Sequence, residues 1–167
     1  WQIQKFIASK ASKIITDSQA SKSDIEIYMS IDQNKITPIY LAANEIFKTT
    51  SSQEMRKKLK KKYHLPDRFV LYVGDVNWNK NVPNVMKAVN NIKYPLVMVS
   101  KSFDAPDKSV YHPWEKSLRE SKELSKNSNN TVISSVKTQD LVALYQMATA
   151  LLFPSLVNLF AKCSNAK

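Results

Sequence analysis

Apolar runs alternate with amphipathic segments along the second half of the chain, and this alternation constrains the fold more than any other feature. The apolar runs are residues 69–73, 96–99, 131–133 and 150–153. The amphipathic segments between them are residues 82–92, 114–124 and 140–148. Runs without polar alternation are typical of strands buried on both faces, and strands that alternate with helices form βαβ units. We therefore predict an α/β fold with a Rossmann-like parallel sheet, flanking helices and a ligand crevice beyond the carboxyl ends of the strands.

The spacing of apolar residues also predicts which side chains turn inward near the end of the sheet. In the segment 140–148 these are Leu141, Leu144 and Tyr145, which lie three and four residues apart. The apolar run 150–153 is then predicted to be the next buried strand of the sheet.

The start of the chain has its own pattern of elements. They are predicted as a helix over residues 3–11, a strand over 13–17, a helix over 20–29 and a strand over 36–41. Ser18 is a suitable cap for the second helix, and Pro38 indicates a short or edge strand. Because a helix begins at the first residues, we expect further chain to precede them.

Gly74 is the one glycine among the 167 residues, and it directly follows the apolar run 69–73. A glycine at the end of a strand allows a sharp turn, or the close approach of a ligand where a Cβ would collide. A helix beginning near Lys80 would aim free N–H groups at the same space, which favours an anion. Two interpretations stay open at this point: a turn in which the glycine serves geometry alone, and a turn that binds phosphate.

The composition excludes several classes of site. The formal net charge of +11 implies attraction to polyanions, anionic membranes or phosphorylated ligands, without selecting among them. Cys163 is the single cysteine and there are two histidines, so the chain lacks the usual ligands of a zinc site. No apolar run approaches the roughly 20 residues of a membrane span. We predict a cytoplasmic protein with no metal site and no cofactor, able to lie at the periphery of an inner membrane.

A basic helix is predicted from residue 51 onwards, with Met55, Leu59 and Tyr63 on its apolar stripe. Its basic side chains are Arg56, Lys57, Lys58, Lys60, Lys61 and Lys62. One interpretation is a solvated helix face, and the other is a surface that binds nucleic acid or an anionic membrane. A non-catalytic basic module that uses residues 56–62 is therefore the alternative function.

Four segments of the chain occur in the order and at the spacing of one known family. They are residues 13–22 (KIITDSQASK), residues 35–44 (KITPIYLAAN), residues 69–74 (FVLYVG) followed by 79–81 (NKN), and residues 140–145 (DLVALY) followed by 152–155 (LFPS). In this order they resemble the group 1 glycosyltransferases of the GT-B fold, which move a sugar from a nucleotide donor to an acceptor. The resemblance covers roughly residues 11–156.

The resemblance implies an incomplete GT-B glycosyltransferase, cut at both ends. Residues 1–47 would be the end of the N-terminal acceptor domain and the crossing between domains. Residues 48–167 would be the first half of the C-terminal donor domain, which binds the nucleotide-sugar as a substrate. The implied reaction is a metal-independent transfer that retains the anomeric configuration. The acceptor stays open among a sugar, a lipid-linked molecule and a protein, and nucleic acid is not expected as a partner.

The resemblance also implies roles for individual residues. The backbone around Gly74 would face the donor diphosphate, and the Lys80 ammonium would pair with its oxygens, with Asn81 and Asn77 as helpers. The chain departs from the family pattern at Asp75, where many members carry arginine. Two further positions, Ser134 and Val136, would lie where the family holds the nucleotide base.

The largest departure from the family pattern follows residue 156. The family continues with an acid-Gly-Phe-Gly segment, whose glutamate supports the donor sugar and is joined by a second glutamate further on. The matching positions here are Asn158 and Ala166, while Phe160 alone agrees with the pattern. Because a neutral side chain cannot accept hydroxyl hydrogen bonds as a carboxylate does, we predict that this chain alone is inactive.

Overall fold

The computed structural model describes residues 1–105, 113–126 and 128–156. The chain divides into two compact units, Trp1–Asn44 and a second unit that begins at Glu45. The sequence placed the boundary after residue 47, inside a short turn, Glu45–Lys48, that belongs to the second unit. The assignment of the two parts to acceptor and donor domains stays a prediction.

The first unit contains two helices and two parallel strands. They are α1 (Gln2–Lys10), β1 (Ile14–Thr16), α2 (Gln19–Met29) and β2 (Ile36–Pro38). Strand β1 pairs with β2, so that Ile14 lies opposite Ile36. The predicted cap is present, because the Ser18 hydroxyl accepts a hydrogen bond from the Ser21 N–H at 3.1 Å. The second strand ends at Pro38, earlier than predicted.

The second unit alternates helices and strands as the sequence predicts. Its elements are α3 (Gln53–Tyr63), β3 (Val70–Val73), α4 (Val82–Asn91), β4 (Leu96–Val99), α5 (Pro113–Lys126), β5 (Thr131–Ile133), α6 (Thr138–Met147) and β6 (Ala150–Leu151). The strands are parallel in the order β5-β4-β3-β6. The predicted fold class, an α/β fold with a parallel sheet and flanking helices, is confirmed.

Both faces of the central strands are covered. On one face Leu71 and Val97 pack in a core with Leu59 of α3 and Leu144 of α6. On the other face Tyr72 and Met98 belong to a second core. That core also contains Val82, Met86 and Val89 of α4, the inward side of that helix. Burial on both faces explains why β3 and β4 lack polar alternation in the sequence.

Two predictions of burial near the end of the sheet are wrong. The buried residues of α6 are Val142, Ala143 and Leu144, whereas Tyr145 is 36% exposed. The Tyr145 ring instead meets the edge of Phe47, with 6.1 Å between ring centroids. Residues 150 and 151 in β6 are exposed rather than buried. Among the described strands β6 lies at the sheet edge and pairs only with β3, which explains its exposure.

The segment that precedes α3 is fastened to α6 by one side chain. The Gln146 carbonyl oxygen accepts hydrogen bonds from the Ser51 N–H at 2.9 Å and from the Ser51 hydroxyl at 2.8 Å. The Gln146 amide nitrogen donates to the Thr49 carbonyl at 2.6 Å. Residues 49–51 are therefore held in place by contacts with a helix almost a hundred residues later in the sequence.

Candidate functional site

A topological switch point lies between β3 and β6. From β3 the chain runs through β4 to β5 on one side, and it then returns to place β6 on the other side of β3. In parallel sheets of this kind, ligands bind in the crevice beyond the carboxyl ends of the two strands that flank the switch point. Two stretches leave the sheet there: residues 74–81, called the β3 loop below, and residues 152–156, called the β6 segment.

Gly74 adopts a backbone conformation that other residues rarely reach. Its φ angle is +149°, and a Cβ built on it would lie 3.2 Å from the Tyr72 hydroxyl oxygen. That hydroxyl donates a hydrogen bond to the Asp75 carbonyl at 2.7 Å. Burial, together with the charge of Asp75, raises the pKa of Tyr72 to about 12. The phenol therefore stays protonated at neutral pH and holds the turn that Gly74 makes possible.

At the start of the β3 loop, two backbone N–H groups are already occupied. The Gly74 N–H donates to the Val99 carbonyl at 3.1 Å, and the Val76 N–H donates to the Ser102 hydroxyl at 3.0 Å. These bonds fix the loop against the end of β4. Contacts from the β3 loop to a phosphate therefore have to come from other groups than these two.

The helix predicted to begin near Lys80 begins two residues later. A tight turn, Trp78–Lys80, comes first, and Asn81 adopts a left-handed φ of +54° before α4 starts at Val82. The Asn77 side-chain oxygen accepts from the Lys80 N–H at 3.2 Å, which stabilises this turn. The Asn81 side-chain oxygen accepts a hydrogen bond from the side-chain amide nitrogen of Asn84 at 2.7 Å, instead of accepting from a backbone N–H of the helix. The first turn of α4 consequently has no side-chain cap.

The β6 segment closes against the β3 loop. The Leu152 N–H donates to the Leu71 carbonyl at 2.8 Å, and the Leu156 N–H donates to the Asn79 carbonyl at 2.8 Å. Between these two bonds, the Phe153 ring lies under Lys80, with 5.6 Å from the Lys80 Nζ to the ring centroid. The β6 segment is thus bonded to strand β3 at Leu152 and to the β3 loop at Leu156.

The structure gathers four of the predicted site residues in one loop, since Gly74, Asn77, Lys80 and Asn81 all belong to the β3 loop. Sequence reasoning did not identify the residues that shape this loop. They are Tyr72, Ser102 and Phe153. The available signal was positional: Ser102 comes three residues after the apolar run 96–99 and Phe153 ends the run 150–153, so both lie at the same edge of the sheet.

The two residues predicted to hold a nucleotide base lie elsewhere along that edge. Ser134 directly follows β5, which is separated from β3 by β4. The Val136 side chain is partly buried and packs against the core that contains Leu144. The base-binding role of both residues stays a prediction, and Asn158 and Ala166 lie outside the described residues.

The basic helix α3 is packed and partly paired. Leu59 is 2% exposed in the core, in agreement with the predicted apolar stripe. Lys62 pairs with Asp140 at 2.9 Å, and the Tyr63 hydroxyl donates to the same carboxylate at 3.1 Å. Lys60 pairs with Asp67 at 2.7 Å. The helix therefore packs against one face of the sheet, and its contacts with Asp140 link it to α6.

Replacing Asp140 with asparagine is expected to remove an acid-sensitive part of the stability. Burial raises the pKa of Asp140, but the hydrogen bonds from Lys62 and Tyr63 lower it more, so that its pKa lies below the usual 3.8. A carboxyl whose pKa is lowered by folding stabilises the protein above its unfolded pKa and loses this effect as the pH falls through the folded value. The difference in free energy of unfolding between wild type and Asp140→Asn should therefore shrink as the pH is lowered below about 4.

Urea unfolding at a series of pH values measures this difference. Asp67→Asn is the matched control, because Asp67 also pairs with a lysine of α3 but its side chain is 94% exposed. Solvent screens such a pair, so its removal should change stability little at any pH. A pH-independent difference for Asp140→Asn would contradict the expectation.

The described residues contain neither a candidate metal site nor a membrane-spanning helix. No group of three or more His, Cys, Asp or Glu side chains in this part of the chain is arranged to hold a metal ion. In the same residues, no helix combines the length and the apolar character needed to cross a bilayer.

Among curated proteins, the chain is similar to the serotype-specific mannosyltransferase WbdA of Escherichia coli. The two are 27% identical over 157 residues, which cover 88% of this chain and 18% of WbdA. The chain thus spans less than a fifth of the length of the curated relatives that it matches.

Solved structures share the fold at lower sequence identity. A glycosyltransferase from Rickettsia africae superposes with a TM-score of 0.68 at 19% identity, covering 92% of this chain and 41% of that one. Sucrose-phosphate synthase from Thermosynechococcus elongatus gives a TM-score of 0.70 at 18% identity, with coverage of 96% and 40%. The Anabaena protein HepE, solved in complex with UDP and glucose, gives 0.67 at 16% identity, with coverage of 92% and 41%.

A protein-family model described as glycosyl transferases group 1 matches residues 51–161, which is more than half of the chain. The match begins just before α3 and runs through the β3 loop and the β6 segment. The chain therefore belongs to the group 1 glycosyltransferases.

Proposed function

We propose that this chain is the donor-binding part of a glycosyltransferase that moves a sugar from a nucleotide-sugar to an acceptor. The observation that carries the proposal is the position of Lys80 in the β3 loop at the switch point, two residues before α4, whose first turn has no side-chain cap. Among the described residues, no carboxylate pairs with Lys80. An ammonium beside an uncapped helix start is a suitable place for a phosphate.

The proposed chemistry needs positive charge where the leaving group forms. When the bond between the sugar and the diphosphate breaks, negative charge grows on the departing phosphate oxygens. Lys80 and the free N–H groups at the start of α4 would stabilise that charge, and they would do so in the transition state more than in the bound donor. The side-chain oxygens of Asn77 and Asn81 accept hydrogen bonds within the protein. Their side-chain amide nitrogens are the groups that could donate to phosphate. We propose on this basis a reaction that requires no metal ion. The proposed retention of the anomeric configuration rests on the family alone.

The relatives narrow the donors worth testing. WbdA is named a mannosyltransferase, and HepE is solved with UDP and glucose. A mannose-bearing nucleotide-sugar is therefore the first donor to test, followed by a glucose-bearing one. The acceptor stays open among a sugar, a lipid-linked molecule and a protein, and we propose that it is met in the cytoplasm or at the periphery of an inner membrane.

The chain alone is proposed to bind a nucleoside diphosphate weakly and to transfer sugar slowly or not at all. The positions at which the family carries its two glutamates hold Asn158 and Ala166. Without those carboxylates the sugar and the ribose lose hydrogen-bond acceptors, while the contacts between Lys80 and the diphosphate are unaffected.

The alternative, a basic module that uses residues 56–62, is supported only by the basic composition of the chain. The family match includes α3, which means that this helix is an ordinary part of the domain. Two of its lysines are paired with carboxylates, and its apolar stripe packs on the sheet.

Replacement of Lys80 with alanine tests the proposed function. A hydrogen bond to a charged group contributes about 1.5–3 kcal/mol, so the affinity for a nucleoside diphosphate should fall about tenfold or more. Isothermal titration of UDP, GDP, ADP and inorganic pyrophosphate into the chain and into Lys80→Ala measures the change.

Lys57→Ala is the matched control, because it removes the same charge from an exposed position on α3. Equal binding by wild type and Lys80→Ala would remove Lys80 from the site. An equal loss in Lys57→Ala would indicate that the ligand responds to net charge instead of to the crevice. Tight binding of nucleic acid that weakens steeply with salt, without any response to nucleotides, would restore the alternative.

A further inference from the structure

The Lys80 ammonium has an aromatic neighbour instead of an acidic one. Its Nζ lies 5.6 Å from the centroid of the Phe153 ring, within the range of a cation–π interaction. In the described part of the chain, Lys80 forms no ion pair. Phe153 belongs to the segment 152–155 that resembles the family, but neither the resemblance nor the family match assigns a role to its side chain.

Both partners of this contact are held by backbone hydrogen bonds. The Leu152 N–H binds the Leu71 carbonyl, and the Leu156 N–H binds the Asn79 carbonyl, each at 2.8 Å. Phe153 lies between these two anchor points, and Asn79 is adjacent to Lys80. The second hydrogen bond thus ties the β6 segment directly to the turn that carries the lysine, which keeps the backbones that carry the ring and the ammonium close together.

An aromatic ring and a carboxylate would affect a phosphate-binding lysine differently. A carboxylate would neutralise the ammonium, occupy its N–H donors and repel the incoming phosphate. A ring face attracts the ammonium through its quadrupole but carries no net charge and accepts no strong hydrogen bond. The ring can therefore fix the position of Lys80 while all three of its N–H donors stay available for phosphate oxygens.

We propose that Phe153 is a positioning residue, whose ring face holds the Lys80 ammonium at the mouth of the crevice for the donor diphosphate. This proposal rests on the proposed function, since it adds the residue that orients Lys80. It also means that the β6 segment contributes to donor binding through Phe153, independently of the residues after 156.

Three variants test whether an effect on binding comes from the aromatic ring or only from the size of the side chain. Phe153→Leu keeps an apolar side chain but removes the ring, and it should raise the dissociation constant for a nucleoside diphosphate about two- to fivefold. Phe153→Trp keeps an aromatic face and should bind like wild type. In the Lys80→Ala background, Phe153→Leu should cause no further loss, because the ring acts only through the lysine.

The free protein gives an independent readout. Protons above a ring face are shifted upfield by the ring current, so the Hε protons of Lys80 should resonate upfield of those of other lysines. The shift should vanish in Phe153→Leu and persist in Phe153→Trp. Thermal unfolding of the same variants shows whether each has kept its fold.

The possible results distinguish this proposal from the one on which it rests. If Lys80→Ala weakens binding but Phe153→Leu binds like wild type, the positioning role is wrong and the proposed function stands. The positioning role is also wrong if Phe153→Trp binds as weakly as Phe153→Leu. If wild type binds none of the nucleotides and no pyrophosphate, or if Lys80→Ala binds as well as wild type, both proposals fail.

Discussion

Gly74→Ala is expected to lower the free energy of unfolding by about 1–3 kcal/mol, the usual cost of holding a residue in a sparsely populated backbone conformation. The φ of +149° is open to glycine and strongly unfavourable for alanine. The new Cβ would also lie 3.2 Å from the Tyr72 hydroxyl. If the chain relieves the strain by turning elsewhere, the β3 loop moves, so binding of a nucleoside diphosphate should fall together with stability. Urea unfolding and titration measure the two effects.

The double variant Gly74→Ala with Tyr72→Phe separates the two causes. It removes the hydroxyl that the new Cβ would meet but leaves the backbone conformation as it is. We expect it to recover little of the lost stability, because the φ angle is the larger cost. Tyr72→Phe alone is the control, since it removes the hydrogen bond to the Asp75 carbonyl. An unchanged stability of Gly74→Ala would mean that the turn does not need a glycine.

Leu71→Ala is expected to have the largest effect on stability, about 2–5 kcal/mol, which is typical of a leucine truncated in a core. Leu71 is fully buried on the central strand β3, and its side chain packs in the core formed with α3 and α6. The neighbours on that face come from several elements, so they cannot close the cavity by moving one side chain. Chemical denaturation at neutral pH measures the loss.

Leu151→Ala is a control drawn from the same pair of strands. Leu151 lies opposite Leu71 in the parallel register between β3 and β6, but it is 49% exposed. Its truncation removes less buried area and leaves no enclosed cavity, so it should cost less than about 1 kcal/mol. Similar losses for the two variants would show that β6 is covered in solution, contrary to its exposure here.

Much of the fold could be predicted because buried parallel strands have a distinctive pattern. Strands β3 and β4 are covered on both faces, and each is preceded by a helix or followed by one with clear periodicity. The inward face of α6 could not be predicted in this way. In the structure Val142 and Ala143 are buried with Leu144, while the Tyr145 ring meets the edge of Phe47. Such a contact joins residues almost a hundred positions apart and cannot be recognised from local spacing.

In the candidate site, too, features that depend on neighbouring residues could be predicted, whereas contacts with residues distant in the sequence could not. Gly74 and Lys80 could be singled out because they belong to one short stretch that follows a buried strand. The occupation of the Gly74 and Val76 N–H groups could not be foreseen, since their acceptors, Val99 and Ser102, belong to the end of a different strand. Phe153 was missed for a similar reason, because its importance depends on β6 lying next to β3 instead of next to β5.

The β3 loop and the β6 segment become available at different times as the chain is made. Strands β3, β4 and β5 precede residue 134, so they can pair while the β6 segment is still being synthesised, and the core around Leu71 is completed when Leu144 of α6 is added. The segment that contains Phe153 is then added with β6, the shortest strand of the described sheet, which adds few backbone bonds of its own. A chain released before this strand would contain Gly74 and Lys80 in a folded sheet and yet have an open crevice. We therefore expect a chain that ends before β6 to bind a donor more weakly than one that contains it.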